Sequence, residues 1–144
     1  MLNTKLQITS QHGFTLIEVM VAVVVLSIGL LGLAGLQITG LRNNQSASFR
    51  STATVLAYDI TDAMRANRTD ARDGKYAIAM ADAKPTGSAI YQKDLNNWLS
   101  ELALRLPAGD GSITVASDMV TVTVQWDDTR GASAAQQFVM VSQL

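Results

Sequence analysis

Glu18 is the residue whose type and position most need an explanation. It is the only ionisable side chain between His12 and Arg42, in a segment that is otherwise apolar or uncharged. A carboxylate at the centre of a bilayer costs about 2.5–3.5 kcal/mol, so lipid alone gives no reason for it. Two interpretations remain open: Glu18 lies close enough to one end of the segment to stay hydrated, or a cation from another chain pairs with it.

Other groups with catalytic or metal-binding chemistry are scarce. The chain has a single histidine, His12, and no cysteine, which leaves no disulfide, thiol nucleophile or zinc site, and no triad beyond what His12 alone could do. Asp127 and Asp128 form an acidic pair, but the sequence WDDTRG is typical of a turn, and further oxygen ligands for a metal are not evident. The sequence therefore predicts a protein that is not an enzyme and that needs no cofactor or metal.

The apolar segment is long enough to cross a membrane. Residues 14–36 number 23, which is about 34 Å of helix at ~1.5 Å per residue, against a hydrocarbon core of about 30 Å. A cleaved secretory signal would have an apolar run of roughly 7–15 residues and then a small-residue cleavage site, and this run is longer and lacks that site. The formal net charge of −1 over 144 residues argues against a nucleic-acid binder and allows one ordinary domain.

The same helix is predicted to continue beyond the apolar segment. Apolar residues recur at helical spacing on one stripe, with polar residues between them: Phe49, Ala53, Leu56, Ile60 and Met64. No proline interrupts residues 14–68, so one continuous helix over that range is expected. Asp62 and Arg65 stand at i and i+3, which predicts a weak pair on a solvated face.

The remainder of the chain predicts an α+β domain. Residues 69–88 indicate a loop with one short element, and residues 89–105 indicate a second helix that Pro107 and Gly109 end. This helix should pack by one face, which comprises Leu95, Trp98, Leu99, Leu102 and Leu106. Three short antiparallel strands follow, at Ile113 and Val115, at residues 120–126 and at residues 137–141, because apolar and polar residues alternate there. Their apolar face would be covered by the amphipathic half of the long helix, with Trp126 in the core.

The segment HGFTLIEVMVAVVVLSIG resembles the N-terminus of type IV pilin-like proteins. The resemblance implies a leader at residues 1–13, which a membrane-embedded prepilin peptidase removes by cleavage between Gly13 and Phe14. It also implies N-methylation of the new amine at Phe14 and a role of Glu18 in subunit assembly. The resemblance implies that the positive amine of Phe14 on a neighbouring subunit is the cation that pairs with Glu18.

Softer motifs resemble the PilV-type minor pilins, also described as type IV pilus modification proteins. They are SIGLLGLAGLQ at 27–37, MRANR at 64–68 and VTVTVQW at 120–126. The implied fold is pilin-like α+β, with a long N-terminal helix, membrane-spanning in its first half, packed on a small antiparallel sheet with one extra helix. The implied organisation is a leader (1–13), an apolar transmembrane and assembly helix (14–41) and a periplasmic domain (42–144).

The resemblance also implies a function and a set of partners. The chain would be a minor pilin, first in the bacterial inner membrane and then in the pilus at the cell surface. It would take part in a priming or tip complex with other minor pilins, the major pilin, the prepilin peptidase, the inner-membrane assembly platform and a large tip adhesin. The alternative is a minor pseudopilin of a type II secretion system, which shares the leader, the helix and the style of domain.

Overall fold

Two units make up the part of the chain that the structure describes. The computed structural model describes residues 13–129 and 131–144, so the predicted leader lies outside the described residues except for Gly13. The first unit ends at Arg42, and the second comprises residues 43–144. Helix α1, Leu16–Ala66, contributes its first part to one unit and its second part to the other.

The long N-terminal helix is confirmed, with bounds slightly inside the predicted 14–68. α1 ends at Ala66 because Asn67 leaves the helical region, with φ −113° and ψ 54°. A short second helix of five residues, α2, follows at Arg68–Arg72. The absence of proline was therefore not enough to predict where the helix stops.

The amphipathic stripe on the second part of α1 is confirmed. Ala53, Leu56, Ile60 and Met64 are buried, and Phe49 is half-buried against the same core. Ala57 and Thr61 complete the buried face, and the hydroxyl of Thr61 donates to the carbonyl oxygen of Ala57 at 2.8 Å. The only polar side chain on this face is thus satisfied inside its own helix.

The second long helix, α3, spans Ile90–Arg105, close to the predicted 89–105. Its predicted apolar face is buried as a set: Leu95, Trp98, Leu99 and Leu102, together with Leu106 just beyond the helix. Gly109 follows where the backbone passes so close to the carbonyl of Leu102 that a side chain at this position would overlap it. The close approach therefore requires a glycine at this position.

The sheet has three antiparallel strands in the order β1-β2-β3. They are β1 at Asp110–Ala116, β2 at Met119–Trp126 and β3 at Gln136–Gln143. Side chains alternate across β2 as predicted, with Val120, Val122, Val124 and Trp126 buried against the helices. The α+β prediction and the core position of Trp126 are both confirmed.

Residues 69–88 make more contacts with the rest of the domain than the predicted loop would. Besides α2, the segment carries an isolated antiparallel bridge between Ile78 and Ile113, with N–O distances of 3.0 and 2.9 Å. Tyr76 and Ile78 are buried. The segment therefore covers the outer edge of β1, a role that its weak periodicity did not predict.

Candidate functional site

The predicted assembly residues lie at the start of α1. The backbone N–H of Glu18 donates to the carbonyl oxygen of Thr15 at 3.1 Å and to Thr15 Oγ1 at 3.3 Å. Thr15 thus caps the helix, and Glu18 is the acidic residue of its first turn. A carboxylate in the first turn also complements the partial positive charge of the helix N-terminus. This local role of Glu18 was missed, although Thr-x-x-Glu before an apolar run is a recognisable capping pattern.

Around Glu18, α1 presents apolar side chains with nothing of the described chain against them. Every described residue from Gly13 to Gln45 is exposed, including Phe14 at 84% and Leu16 at 79%. A continuous exposed apolar surface of this extent marks a site for lipid or for another protein. By length and composition, α1 could cross a membrane.

The hydroxyl groups in this part of α1 are satisfied inside the helix. Ser27 Oγ donates to the carbonyl oxygen of Val23 at 2.7 Å, and Thr39 Oγ1 donates to that of Gly35 at 3.1 Å. The segment therefore presents no unsatisfied hydroxyl donor from these two residues to an apolar surrounding. A side chain added at Gly29, Gly32 or Gly35 would contact no atom of the described chain. Whether these glycines form a packing face therefore depends on what surrounds the helix.

The acidic pair Asp127 and Asp128 supports a turn. The carboxylate of Asp127 accepts from the backbone N–H of Thr129 at 2.8 Å and of Gly131 at 2.5 Å. Asp128 accepts from Ser46 Oγ at 3.0 Å, which joins the turn to α1. In the described part of the chain, no three His, Cys, Asp or Glu residues group in a way that could hold a metal ion. The Asp127 carboxylate therefore stabilises the turn, and the Asp128 carboxylate attaches the turn to α1.

Arg65 makes more contacts than the solvated pair with Asp62 that its spacing predicts. It contacts Asp62 at 3.0 Å, and its other terminal nitrogen donates to Ser142 Oγ at 2.8 Å and to the carbonyl oxygen of Gln143 at 3.3 Å. The guanidinium therefore joins α1 to the end of β3. A contact across 77 positions has no signal in local spacing.

A polar cluster beneath α2 was also missed. The hydroxyl of Tyr76 donates to Asp94 at 2.5 Å, and the amide of Asn67 donates to Asp70 at 2.9 Å and to the Tyr76 oxygen at 3.4 Å. Burial and the neighbouring Asp94 raise the pKa of Tyr76 to about 12. The Lys75 ammonium beside Asp70, together with Asn67, lowers the pKa of the Asp70 carboxyl. The cluster holds the loop against α3.

The raised pKa of Tyr76 predicts alkaline destabilisation of the second unit. The folded state binds the phenolic proton more tightly than the unfolded state, in which the pKa is about 10. Its contribution is therefore complete below pH 10 and is lost as pH rises from about 10 to about 12, a change of about 2 kcal/mol. Denaturant unfolding between pH 8 and 12 should show this loss relative to Tyr76→Phe, which removes the group but keeps the ring. Equal slopes in the two proteins would contradict the prediction.

Comparison with known proteins adds one finding. Residues 8–34 match the family model described as the prokaryotic N-terminal methylation motif. No curated protein and no solved structure matches the chain. The matched range includes Gly13, Phe14 and Glu18 and runs well into the exposed apolar part of α1. The start of this chain therefore carries an N-terminal methylation motif, which supports the resemblance to type IV pilin-like proteins.

Proposed function

We propose that this protein is a membrane-anchored subunit of a pilus-like assembly, cleaved between Gly13 and Phe14 and methylated on the new amine of Phe14. The observation that carries the proposal is the methylation motif at 8–34, which overlies the start of a helix that is exposed and apolar. A motif of this kind points to a structural protein rather than an enzyme.

The proposed role of Glu18 follows from its charge and its place in the helix. Cleavage after Gly13 creates an amine four residues before Glu18, on a helix end that is already capped by Thr15. When such helices bundle, a Glu18 carboxylate removed from water needs a cation, and the Phe14 amine of a neighbouring chain supplies one. The apolar sides of the helices would then fill the core of the assembly.

Within this class, we propose that the chain acts as a minor pilin. Residues 14–41 would anchor it in the inner membrane, and residues 42–144 would form its periplasmic domain. It would join other minor pilins and the major pilin on the assembly platform, in a priming or tip complex that helps to display a tip adhesin. The motifs at 27–37, 64–68 and 120–126 favour this PilV-type role over that of a type II secretion pseudopilin.

The first test is the N-terminus of the chain in cells with and without the prepilin peptidase. We expect intact mass and N-terminal sequencing to show a mature chain that starts at methylated Phe14, in the presence of the peptidase only. A chain that keeps Met1 in both strains, or that is cut beyond Leu36, would overturn the proposal.

A second test separates the two assemblies. In a strain that lacks this chain, we expect fewer surface pili and unchanged type II secretion of a reporter enzyme. Re-expression of the wild-type chain should restore piliation. A loss of secretion with normal piliation would instead identify the chain as a pseudopilin.

A further inference from the structure

The turn between β2 and β3 is attached to the first residues of the second unit. This turn comprises residues 127–129 and 131–135 of the described chain. Its Asp128 accepts a hydrogen bond from Ser46 Oγ at 3.0 Å, across 82 positions of sequence. Ser46 belongs to the second unit and lies near the start of it. The contact therefore holds the turn against α1 close to the point where the apolar segment ends.

The covalent chain limits how far this turn can lie from the apolar segment. Leu41 is the last residue of that segment, and Ser46 follows five residues later. Five residues span at most about 18 Å when fully extended and about 7.5 Å in a helix, which is the conformation of α1 at these positions. This bound holds for any orientation of one unit relative to the other. If the apolar segment crosses a bilayer, the turn is within reach of the lipid headgroups.

The surface of the turn suits contact with lipid headgroups. Residues 131–135, GASAA, are all exposed and carry no charge. The preceding acids, Asp127 and Asp128, both accept hydrogen bonds from within the protein. Arg50 is exposed, and its guanidinium donates to Gln136 at 3.3 Å where β3 begins, so a cation lies next to the turn. Basic side chains close to a membrane-spanning helix are attracted to anionic lipids.

The opposite end of the sheet differs in charge and in its distance from the apolar segment. The turn between β1 and β2 carries Asp118, which pairs with Arg72 at 2.8 Å. Arg65 marks the same end on α1, because it donates to Ser142 at 2.8 Å. Arg65 is 19 residues beyond Ser46, which is about 28 Å of helix. The two ends of one sheet thus provide a test surface and a control surface.

We propose that, in the membrane-anchored chain, the turn between β2 and β3 contacts the lipid headgroup layer. The inference rests on the anchoring by residues 14–41 that the proposed function includes. The contact gives the second unit a second attachment to the membrane besides α1, and so limits how far the unit tilts about the end of the apolar segment. It leaves the apolar segments of neighbouring chains free to run parallel in one bilayer.

Single-cysteine labelling tests the contact, because the chain has no cysteine of its own. Ala134→Cys places a fluorophore on the turn, and Ala116→Cys places it at the opposite end of the sheet, both at exposed alanines. The full chain is reconstituted in vesicles of phosphatidylethanolamine and phosphatidylglycerol that contain a lipid with a nitroxide on its headgroup. Quenching at residue 134 should be at least about twofold stronger than at residue 116, because the two ends of the sheet are about 28 Å apart along α1.

A third label distinguishes failure of this inference from failure of the anchoring. Leu36→Cys places the same fluorophore in the apolar segment, where a nitroxide on the acyl chain should quench it. If the label at residue 36 is not quenched, the chain is not anchored and the proposed function fails together with this inference. Quenching at residue 36 with equal headgroup quenching at residues 134 and 116 would overturn this inference alone.

Charge variants of the turn test the same contact through its electrostatics. With the label at residue 134, Ala132→Asp/Ala135→Asp places two carboxylates beside anionic lipid and should bring the headgroup quenching to within about 1.5-fold of that at residue 116. The matched pair Ala132→Lys/Ala135→Lys should keep the quenching at or above the parent value. All these positions are exposed, so the unfolding midpoints should be unchanged. Equal quenching in the aspartate and lysine pairs would contradict a contact with anionic headgroups.

Discussion

Glu18→Ala is expected to reduce incorporation of this chain into the assembled fibre at least about tenfold while leaving its insertion in the membrane intact. Removing one member of a buried ion pair typically costs about 3–5 kcal/mol, because the remaining charge is left without a partner. In the proposed assembly, that remaining charge is the methylated amine of Phe14 on the neighbouring chain. Insertion depends on the apolar length of α1, which the substitution does not shorten. Immunoblots of sheared fibres and of membranes from the same cells measure both quantities.

Because Glu18 lies in the first turn of α1, its substitution also affects helix stability, and a second variant is necessary. Thr15→Ala removes the side-chain oxygen that accepts from the Glu18 N–H and costs about 1 kcal/mol of helix stability, but it keeps the backbone acceptor and the Glu18 carboxylate. Glu18→Gln keeps a side chain suited to the first turn and removes the charge. If the charge drives assembly, Glu18→Gln behaves as Glu18→Ala does, and Thr15→Ala is incorporated nearly as wild type. Wild-type incorporation of Glu18→Gln would contradict the pairing.

Much of the candidate site could be predicted because its signal is local in the sequence. A single acid in a long uncharged run is visible without a structure, and the spacing from Gly13 to Glu18 supports the resemblance that the methylation motif strengthens. The cap by Thr15 was missed although its signal was present. The contacts of Arg65 with β3 and of Tyr76 with Asp94 join distant positions, so only the folded chain reveals them.

The fold followed from periodicity wherever one face of an element is buried. The stripe on α1, the apolar face of α3 and the alternation in β2 each bury the residues that their spacing indicates. Residues 69–88 could not be predicted in this way, because Tyr76 and Ile78 are buried singly through a turn and a two-residue bridge. A segment fixed by isolated contacts has no period to detect. The order of the strands in the sheet could not be predicted for a similar reason, since alternation gives the faces of a strand but not its neighbours.

Trp98→Ala is expected to destabilise the second unit by about 3–5 kcal/mol, a large part of the roughly 5–15 kcal/mol that holds a typical domain together. Trp98 is 5% exposed, and its indole Nε1–H donates to the carbonyl oxygen of Leu56 at 3.0 Å. Its ring lies over Gly111, where a side chain would overlap it, so the residue joins α3 to both α1 and β1.

The matched control for Trp98→Ala is Leu104→Ala on the same helix, at a residue 79% exposed, for which a change within about 0.5 kcal/mol is expected. The chain has two tryptophans, so in Trp98→Ala the buried Trp126 becomes the sole fluorescent reporter of urea unfolding. Trp98→Phe keeps an aromatic ring over Gly111 but loses the hydrogen bond to Leu56. We expect its loss of stability to lie between those of Leu104→Ala and Trp98→Ala, because filling the space over Gly111 matters more than the single N–H donor. A loss below about 1 kcal/mol in Trp98→Ala would show that the junction of α1, α3 and β1 does not depend on this side chain.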